Sequence, residues 1–145
     1  MNNSKVVLTF PSLPENESFA RSVVTFYAMR LNPSVAELSD IKTAVSEAVT
    51  NSIVHGYPDE VGEIVLESEV VDGNLHINVF DRGIGIENVE QALEPFFTTK
   101  PNDERSGMGF TVMKSFMDEV IVKSEKGKGT SVYMVQSIGA GEKGK

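Results

Sequence analysis

The sequence predicts an α+β fold: a two-layer α/β sandwich, with a mixed, mostly antiparallel sheet and its helices on one face. Three observations carry that prediction. Segments of strand and helix periodicity follow one another in the order β-α-α-β-β-(loop)-α-β-β. Two of the strand pairs are joined by short turn signals, "DG" at Asp72 and Gly73 and "KGKG" at 126–129, which make hairpins rather than crossovers. Finally, no internal repeat and no linker divides the 145 residues, so one domain is expected over 1–136, followed by a flexible tail, "SIGAGEKGK", over 137–145.

Taken in order, "KVVLTF" is the first strand, and the two prolines of "PSLPEN" end it. In "NESFARSVVTFYAMRL" the apolar residues Phe19, Val23, Phe26, Tyr27 and Met29 recur at helical spacing. Asn32-Pro33 breaks that helix. Ser34 followed by Glu37 is a capping-box pattern, which opens a second helix expected to run to His55, with Gly56 as its left-handed stop. "EIVLESEVV" and "LHINVFD" alternate with period two on either side of the Asp72-Gly73 turn. A long stretch rich in glycine, proline and charge follows, with a short helix over 88–94. "FTVMKSFMD" is then a helix, and "EVIVKSE" and "TSVYMV" are the last two strands.

Composition narrows the function. Cysteine is absent, so disulfides and thiolate metal sites are excluded, and a reducing cytoplasm suits the chain. No apolar run approaches the ~20 residues of a membrane span, and no charged-then-apolar leader opens the chain, so no membrane partner is expected. The formal net charge of −8 argues against nucleic acid as a direct partner, because phosphate contacts need clustered Lys and Arg.

The chemistry-bearing residues lie in four places. Glu47 and Asn51 are four apart, about 40° from each other around the second helix, and flank the face made by Ile41, Val45, Ala48, Val49 and Ser52. A solvated helix flank is the plainer reading of that pair alone. Asp81 ends the apolar strand "INVFD", where a buried carboxylate needs partners; as an acceptor it suits an exocyclic amine. Gly83 and Gly85 let the backbone turn and approach a flat ring or a phosphate. In "SGMGF" two glycines precede a helix, and "GKGT" ends at Thr130. Neither the Walker A loop nor the Rossmann fingerprint is present.

The ordered set "EAVTN", "DRGIG", "PFFTTK", "SGMGF" and "GKGT" resembles the ATP-binding domain shared by gyrase, a heat-shock chaperone, histidine kinases and mismatch-repair ATPases, over roughly residues 35 to 135. "ENESFARSVV" and "FFTTKPNDERSGMGF" are closer still to one branch, the anti-sigma-factor serine kinases of bacterial sporulation. The resemblance implies the Bergerat-type ATP-binding fold, ATP, ADP and Mg²⁺ as ligands, and phosphorylation of a protein serine. It makes Glu47 the general base and Asn51 the Mg²⁺ ligand. Asp81 becomes the reader of adenine, supported by Gly83, Gly85 and, through water, Thr130. A lid over 98–109 would bring Thr98, Thr99, Lys100, Arg105, Ser106, Gly107, Met108 and Gly109 near the phosphates.

The implied partners are a sigma factor of RNA polymerase and an anti-anti-sigma protein as phosphorylation substrate, with the chain acting as a homodimer. Arg21, read as a helix arginine free for contact, is the residue expected to hold the sigma factor. Two features qualify the likeness. Arg105 stands where histidine kinases usually have a third glycine, which suggests a charged lid. The chain also lacks a region holding a phosphoacceptor histidine, and His55 and His76 are read as structural or surface residues. A nucleotide-dependent anti-sigma switch without phosphotransfer, and a slow ATPase, are the alternatives. Glu47 favours the kinase, since binding alone needs no base.

Overall fold

The computed structural model of the chain describes residues 5–93 and 109–139. Strand β1 (Val6–Pro11) leads into helix α1 (Asn16–Ala28), a 3₁₀ turn at Met29–Leu31, and helix α2 (Val35–Asn51). Strands β2 (Glu63–Val71) and β3 (Asn74–Asp81) follow, then the short helices α3 (Val89–Ala92) and α4 (Phe110–Phe116). Strands β4 (Glu119–Glu125) and β5 (Gly129–Ser137) complete the chain.

The five strands form one sheet in the order β1-β2-β3-β5-β4, and every neighbouring pair is antiparallel. The mostly antiparallel sheet expected from the sequence is therefore antiparallel throughout. β3 and β4 do run in the same direction, but β5 inserts between them, so no parallel ladder forms. The Asp72-Gly73 hairpin is as expected: both residues have positive φ, 52° and 82°, the conformation of a two-residue type I′ turn.

One face of the sheet is covered by helices. Ile64 and Leu66 of β2, Leu75, Ile77 and Val79 of β3, and Val132 and Met134 of β5 alternate inward and are buried. They meet Ile41, Ala44, Val45, Ala48 and Val49 of α2, with α1 and α4 beside it. Each such aliphatic side chain stabilises the fold by ~1.5–3 kcal/mol when fully buried.

Helix α1 is rotated relative to the sequence reading. Its buried residues are Ala20, Val24, Tyr27 and Ala28, whereas Phe19, Phe26 and Met29 are 53%, 78% and 53% exposed. Two apolar stripes one residue apart both satisfy helical spacing. The inner one wins because its alanines allow close approach and because the Tyr27 hydroxyl accepts the Val70 N–H at 3.0 Å.

The capping box of α2 forms, with the Glu37 N–H donating to Ser34 Oγ at 3.0 Å and the Ser34 N–H donating to Glu37 Oε1 at 2.8 Å. Its far end differs from expectation. The α-helix stops at Asn51, and Ser52–Gly56 make a π-helical turn closed by the Tyr57 N–H on Ser52 O at 3.1 Å. Gly56 is not left-handed; glycine is needed there because a Cβ would stand 3.0 Å from Asp81 Oδ2.

The expected tail boundary also moves. Ser137 still belongs to β5, Ile138 is buried in the core, and the Gly139 N–H donates to Glu37 Oε2 at 2.9 Å. The hydrophobic isoleucine at 138 provides that segment with something to bury. No helix among the described residues is long and apolar enough to cross a membrane.

Candidate functional site

Because β3 alternates, the register that buries Leu75, Ile77 and Val79 also turns Asp81 toward the helices, where it is 5% exposed. Its carboxylate is anchored on both sides. Ser52 Oγ donates to Oδ2 at 2.7 Å, and the Gly83 N–H donates to Oδ1 at 2.9 Å. Hydrogen bonds to a charged group contribute about 1.5–3 kcal/mol each, which offsets the cost of removing the carboxylate from water. The π turn is the local device here, since it carries Ser52 over the end of β3. Such turns recur at functional sites.

The loop after Asp81 is clamped by three backbone approaches that only glycine permits. A Cβ on Gly83 would stand 2.0 Å from Gly56 O, and one on Gly85 (φ +77°) 2.1 Å from Glu125 O. One on Gly129 (φ +109°) would stand 2.0 Å from Asp81 O. The Ile84 N–H donates to Gly56 O at 2.9 Å, and the Gly127 N–H donates to Ile84 O at 2.6 Å. Tyr57 braces the same turn from below: its hydroxyl accepts the Arg82 N–H at 2.8 Å and donates to Glu63 O at 2.6 Å. Burial pushes the Tyr57 phenol above its ordinary pKa and keeps it a donor.

Above this floor lies a cleft lined by Asn51, Ser52, His55, Asp81, Gly85 and Thr130 among others. Asn51 is 8% exposed, and its amide Nδ2 is buried with no hydrogen-bond partner among the described residues. A buried amide left open is a group that a ligand would complete. One helical turn earlier, half-buried Glu47 brings its carboxylate against Gly109, where an added Cβ would stand 2.2 Å from Oε1. Gly109 has φ +75° and caps α4, whose first residue, Phe110, lines the cleft.

The fold therefore brings Glu47, Asn51, Asp81, Gly85, Gly109 and Thr130 to one region. Gly83 serves the turn beneath and does not line the cleft. Thr98, Thr99, Lys100, Arg105, Ser106, Gly107 and Met108 lie outside the described residues. Arg21 is remote from the cleft and is not free: its guanidinium pairs with Glu17 at 3.1 Å, one turn away on α1. It borders a groove shared with Thr25, Phe26 and Lys42.

Sequence reasoning missed four side chains. Ser52, taken as part of the core-facing stripe, anchors Asp81. His55, read as structural or surface, lines the cleft. Tyr57 and Ser124 brace its floor, and the only signal for either was adjacency to a motif. His76 is structural, bonded through Nδ1 to the Tyr133 hydroxyl on the sheet face opposite the helices.

No cluster of three or more His, Cys, Asp or Glu among the described residues could hold a metal ion. The donors near the cleft are the Asn51 amide and the Glu47 carboxylate. That sparse set fits Mg²⁺, which takes one or two protein ligands and fills its shell with phosphate oxygens and water.

The fold and this site define an ATPase domain of the kinase type, and the chain belongs to the histidine kinase-like ATPase domain family, which it matches over residues 10–136. Within that family it is 52% identical to the anti-sigma F factor of Caldanaerobacter subterraneus, over 94% of this chain and 96% of the relative. It is 53% identical to the anti-sigma F factor of Clostridium acetobutylicum, over 92% of this chain and 94% of that one. Among solved structures, the fold resembles the RsbU and RsbW domains of a Mycobacterium tuberculosis protein (TM-score 0.67, 19% identity, covering 94% of this chain and 32% of that one). The catalytic domain of the histidine kinase ThkA is also similar, with a TM-score of 0.57 and 16% identity, covering 92% of this chain and 96% of that domain.

Proposed function

We propose that this chain is an ATP-dependent protein-serine kinase and anti-sigma factor, which sequesters a sporulation sigma factor and phosphorylates a serine of the anti-anti-sigma antagonist. The observation that carries this reading is the placement of Glu47 and Asn51 one turn apart on α2, above the anchored carboxylate of Asp81. The names of the anti-sigma F relatives support the sigma-factor half of it.

In this reading Asp81 accepts a hydrogen bond from the exocyclic amine of adenine, and Gly85 lets the ring approach the backbone. Asn51 would hold Mg²⁺, which when bound offsets phosphate charge and orients the nucleotide. Glu47 accepts the proton of the target serine, because a hydroxyl is a weak nucleophile until a base takes it. Residues 98–109 supply the remaining phosphate contacts. Arg21, with Phe26 and Lys42 beside it, forms part of the sigma-factor surface, and the chain works as a cytoplasmic homodimer.

The test is incubation of the purified chain with γ-labelled ATP, Mg²⁺, a sporulation sigma factor and its anti-anti-sigma protein. Label on a serine of the anti-anti-sigma protein, with ATP-dependent capture of the sigma factor, is the expected result. Capture without phosphoserine would leave a nucleotide-dependent switch, and label released only as inorganic phosphate would leave an ATPase.

A further inference from the structure

Helices α2 and α4 pack against one another, and within the site they meet at Glu47 and Gly109. A Cβ built on Gly109 would stand 2.2 Å from Glu47 Oε1, 3.1 Å from its Cδ and 3.2 Å from its Cβ. The Glu47 side chain therefore lies along the bare Cα of Gly109, from its own Cβ to its carboxylate. Neither backbone can retreat. Val45, Ala48 and Val49 of α2 are fully buried, as are Phe110 and Met113 of α4, so close packing of the core fixes both Cα positions. The movable part of this contact is the far end of the Glu47 side chain. A methyl group on Gly109 would push the carboxylate aside rather than part the helices.

That displacement bears on chemistry. A general base works only within hydrogen-bond reach of the proton it takes. Relieving the overlap at Gly109 moves Oε1 by about 1 Å, and a misplacement of that size can cost on the order of 10²-fold in rate.

We infer that Gly109 is a positioning residue for phosphotransfer: its lack of a side chain makes the seat that holds the Glu47 carboxylate where it takes the serine proton. The inference rests on the reading of Glu47 as the base. Gly109 acts through Glu47 and not through a side chain of its own. Glycine is also favoured there for a separate reason, the φ of +75° at the cap of α4. The two demands can be told apart, because asparagine tolerates positive φ and yet carries a Cβ.

The test is a double-mutant cycle. It is read by single-turnover transfer of labelled phosphate from saturating ATP, with Mg²⁺, to the anti-anti-sigma protein, and ATP affinity is titrated in parallel. Gly109→Ala should lower transfer by roughly 10- to 10²-fold. ATP affinity should fall by no more than about threefold, since every variant keeps the N–H of residue 109. Gly109→Asn should lose transfer to the same extent, and it carries the cycle if circular dichroism shows that Gly109→Ala fails to fold. In Glu47→Asp the carboxylate oxygens withdraw to the level of the Glu47 Cδ, 3.1 Å from the built Cβ. Gly109→Ala added to Glu47→Asp should therefore cost no more than about threefold in transfer. Three outcomes overturn the inference: an equal loss of transfer in both backgrounds, wild-type transfer by Gly109→Asn, or ATP affinity that falls in step with transfer. Wild-type transfer by Glu47→Gln would instead overturn the reading of Glu47 as the base, and this inference with it.

Discussion

Ser52 donates its hydroxyl hydrogen to Oδ2 of Asp81 at 2.7 Å, joining the π turn after α2 to the end of β3 across 29 residues of sequence. The bond holds the carboxylate in an orientation set by the fold before any ligand arrives. It also ties the helix that carries Glu47 and Asn51 to the strand that carries Asp81. Disturbing either side of that tie has separable consequences.

Asp81→Asn should nearly abolish binding of ATP and leave the fold intact. The amide offers a donor where an acceptor is required, and a hydrogen bond to a charged group is worth about 1.5–3 kcal/mol. Titration calorimetry checks the affinity, and circular dichroism checks the fold. Wild-type affinity would remove Asp81 from the adenine role.

Glu47→Gln should separate phosphotransfer from binding. Glutamine preserves size and hydrogen bonding beside Gly109, but it cannot accept the serine proton. Transfer in single-turnover assays should fall by roughly 10²–10⁴-fold, with ATP and sigma-factor binding altered only a few-fold. Loss of ATP binding along with transfer would move Glu47 to the metal shell.

Arg21→Ala should weaken capture of the sigma factor by at least about tenfold, while ATP affinity stays unchanged. The variant also breaks the half-buried pair with Glu17, but an ion pair one helical turn long contributes only ~0.3–0.5 kcal/mol, so the melting temperature should fall only slightly. Undiminished pull-down would show that the arginine serves α1 alone.

Tyr57→Phe should lower stability by about 1–3 kcal/mol in urea unfolding, because the Arg82 N–H and the Glu63 carbonyl both lose their partner. Since Arg82 follows Asp81 directly, nucleotide affinity should fall as well. A variant as stable as wild type would mean that water replaces the phenol.

Acid should loosen the chain at Glu37. The Ser34 N–H, and after it the Gly139 N–H, hold this carboxyl below the usual glutamate range. A carboxyl whose folded pKa is depressed adds stability above its unfolded pKa and loses it as pH falls through the folded value. Melting curves from about pH 6 down to about pH 3 should therefore fall more steeply for wild type than for Glu37→Gln. Parallel curves would assign the acid sensitivity elsewhere.

Much of this was legible in the residues. All five strands were read from the residues, two of them by their period-two runs, the Asp72-Gly73 pair marked the β2–β3 hairpin, and Ser34 with Glu37 marked the start of α2. Asp81 stood out because a carboxylate at the end of an apolar strand demands partners. What escaped notice depended on tertiary contact. Periodicity alone cannot choose between the Phe19–Phe26 stripe of α1 and the Ala20–Val24–Ala28 stripe beside it; the Tyr27–Val70 bond across 43 residues does. A π turn costs no visible change in composition, so the exit of α2 at Ser52 was hidden. Ser124 looked like an ordinary strand residue, because its hydrogen bonds to Ile86, Gly129 and Thr130 form only once the strands and the loop after Asp81 are assembled. The lid motifs lie outside the described residues.

The glycine clamp around Ile84 has a bearing on thermodynamics. Because Gly83, Gly85 and Gly129 seat the loop against Gly56, Glu125 and Asp81 within the chain itself, the ordering cost of this end of the cleft, where the base is proposed to bind, is met during folding. Occupancy of that end is then a lock-and-key event, with little conformational entropy left to lose. An adenosine fragment without phosphates should dock there with a small entropic penalty.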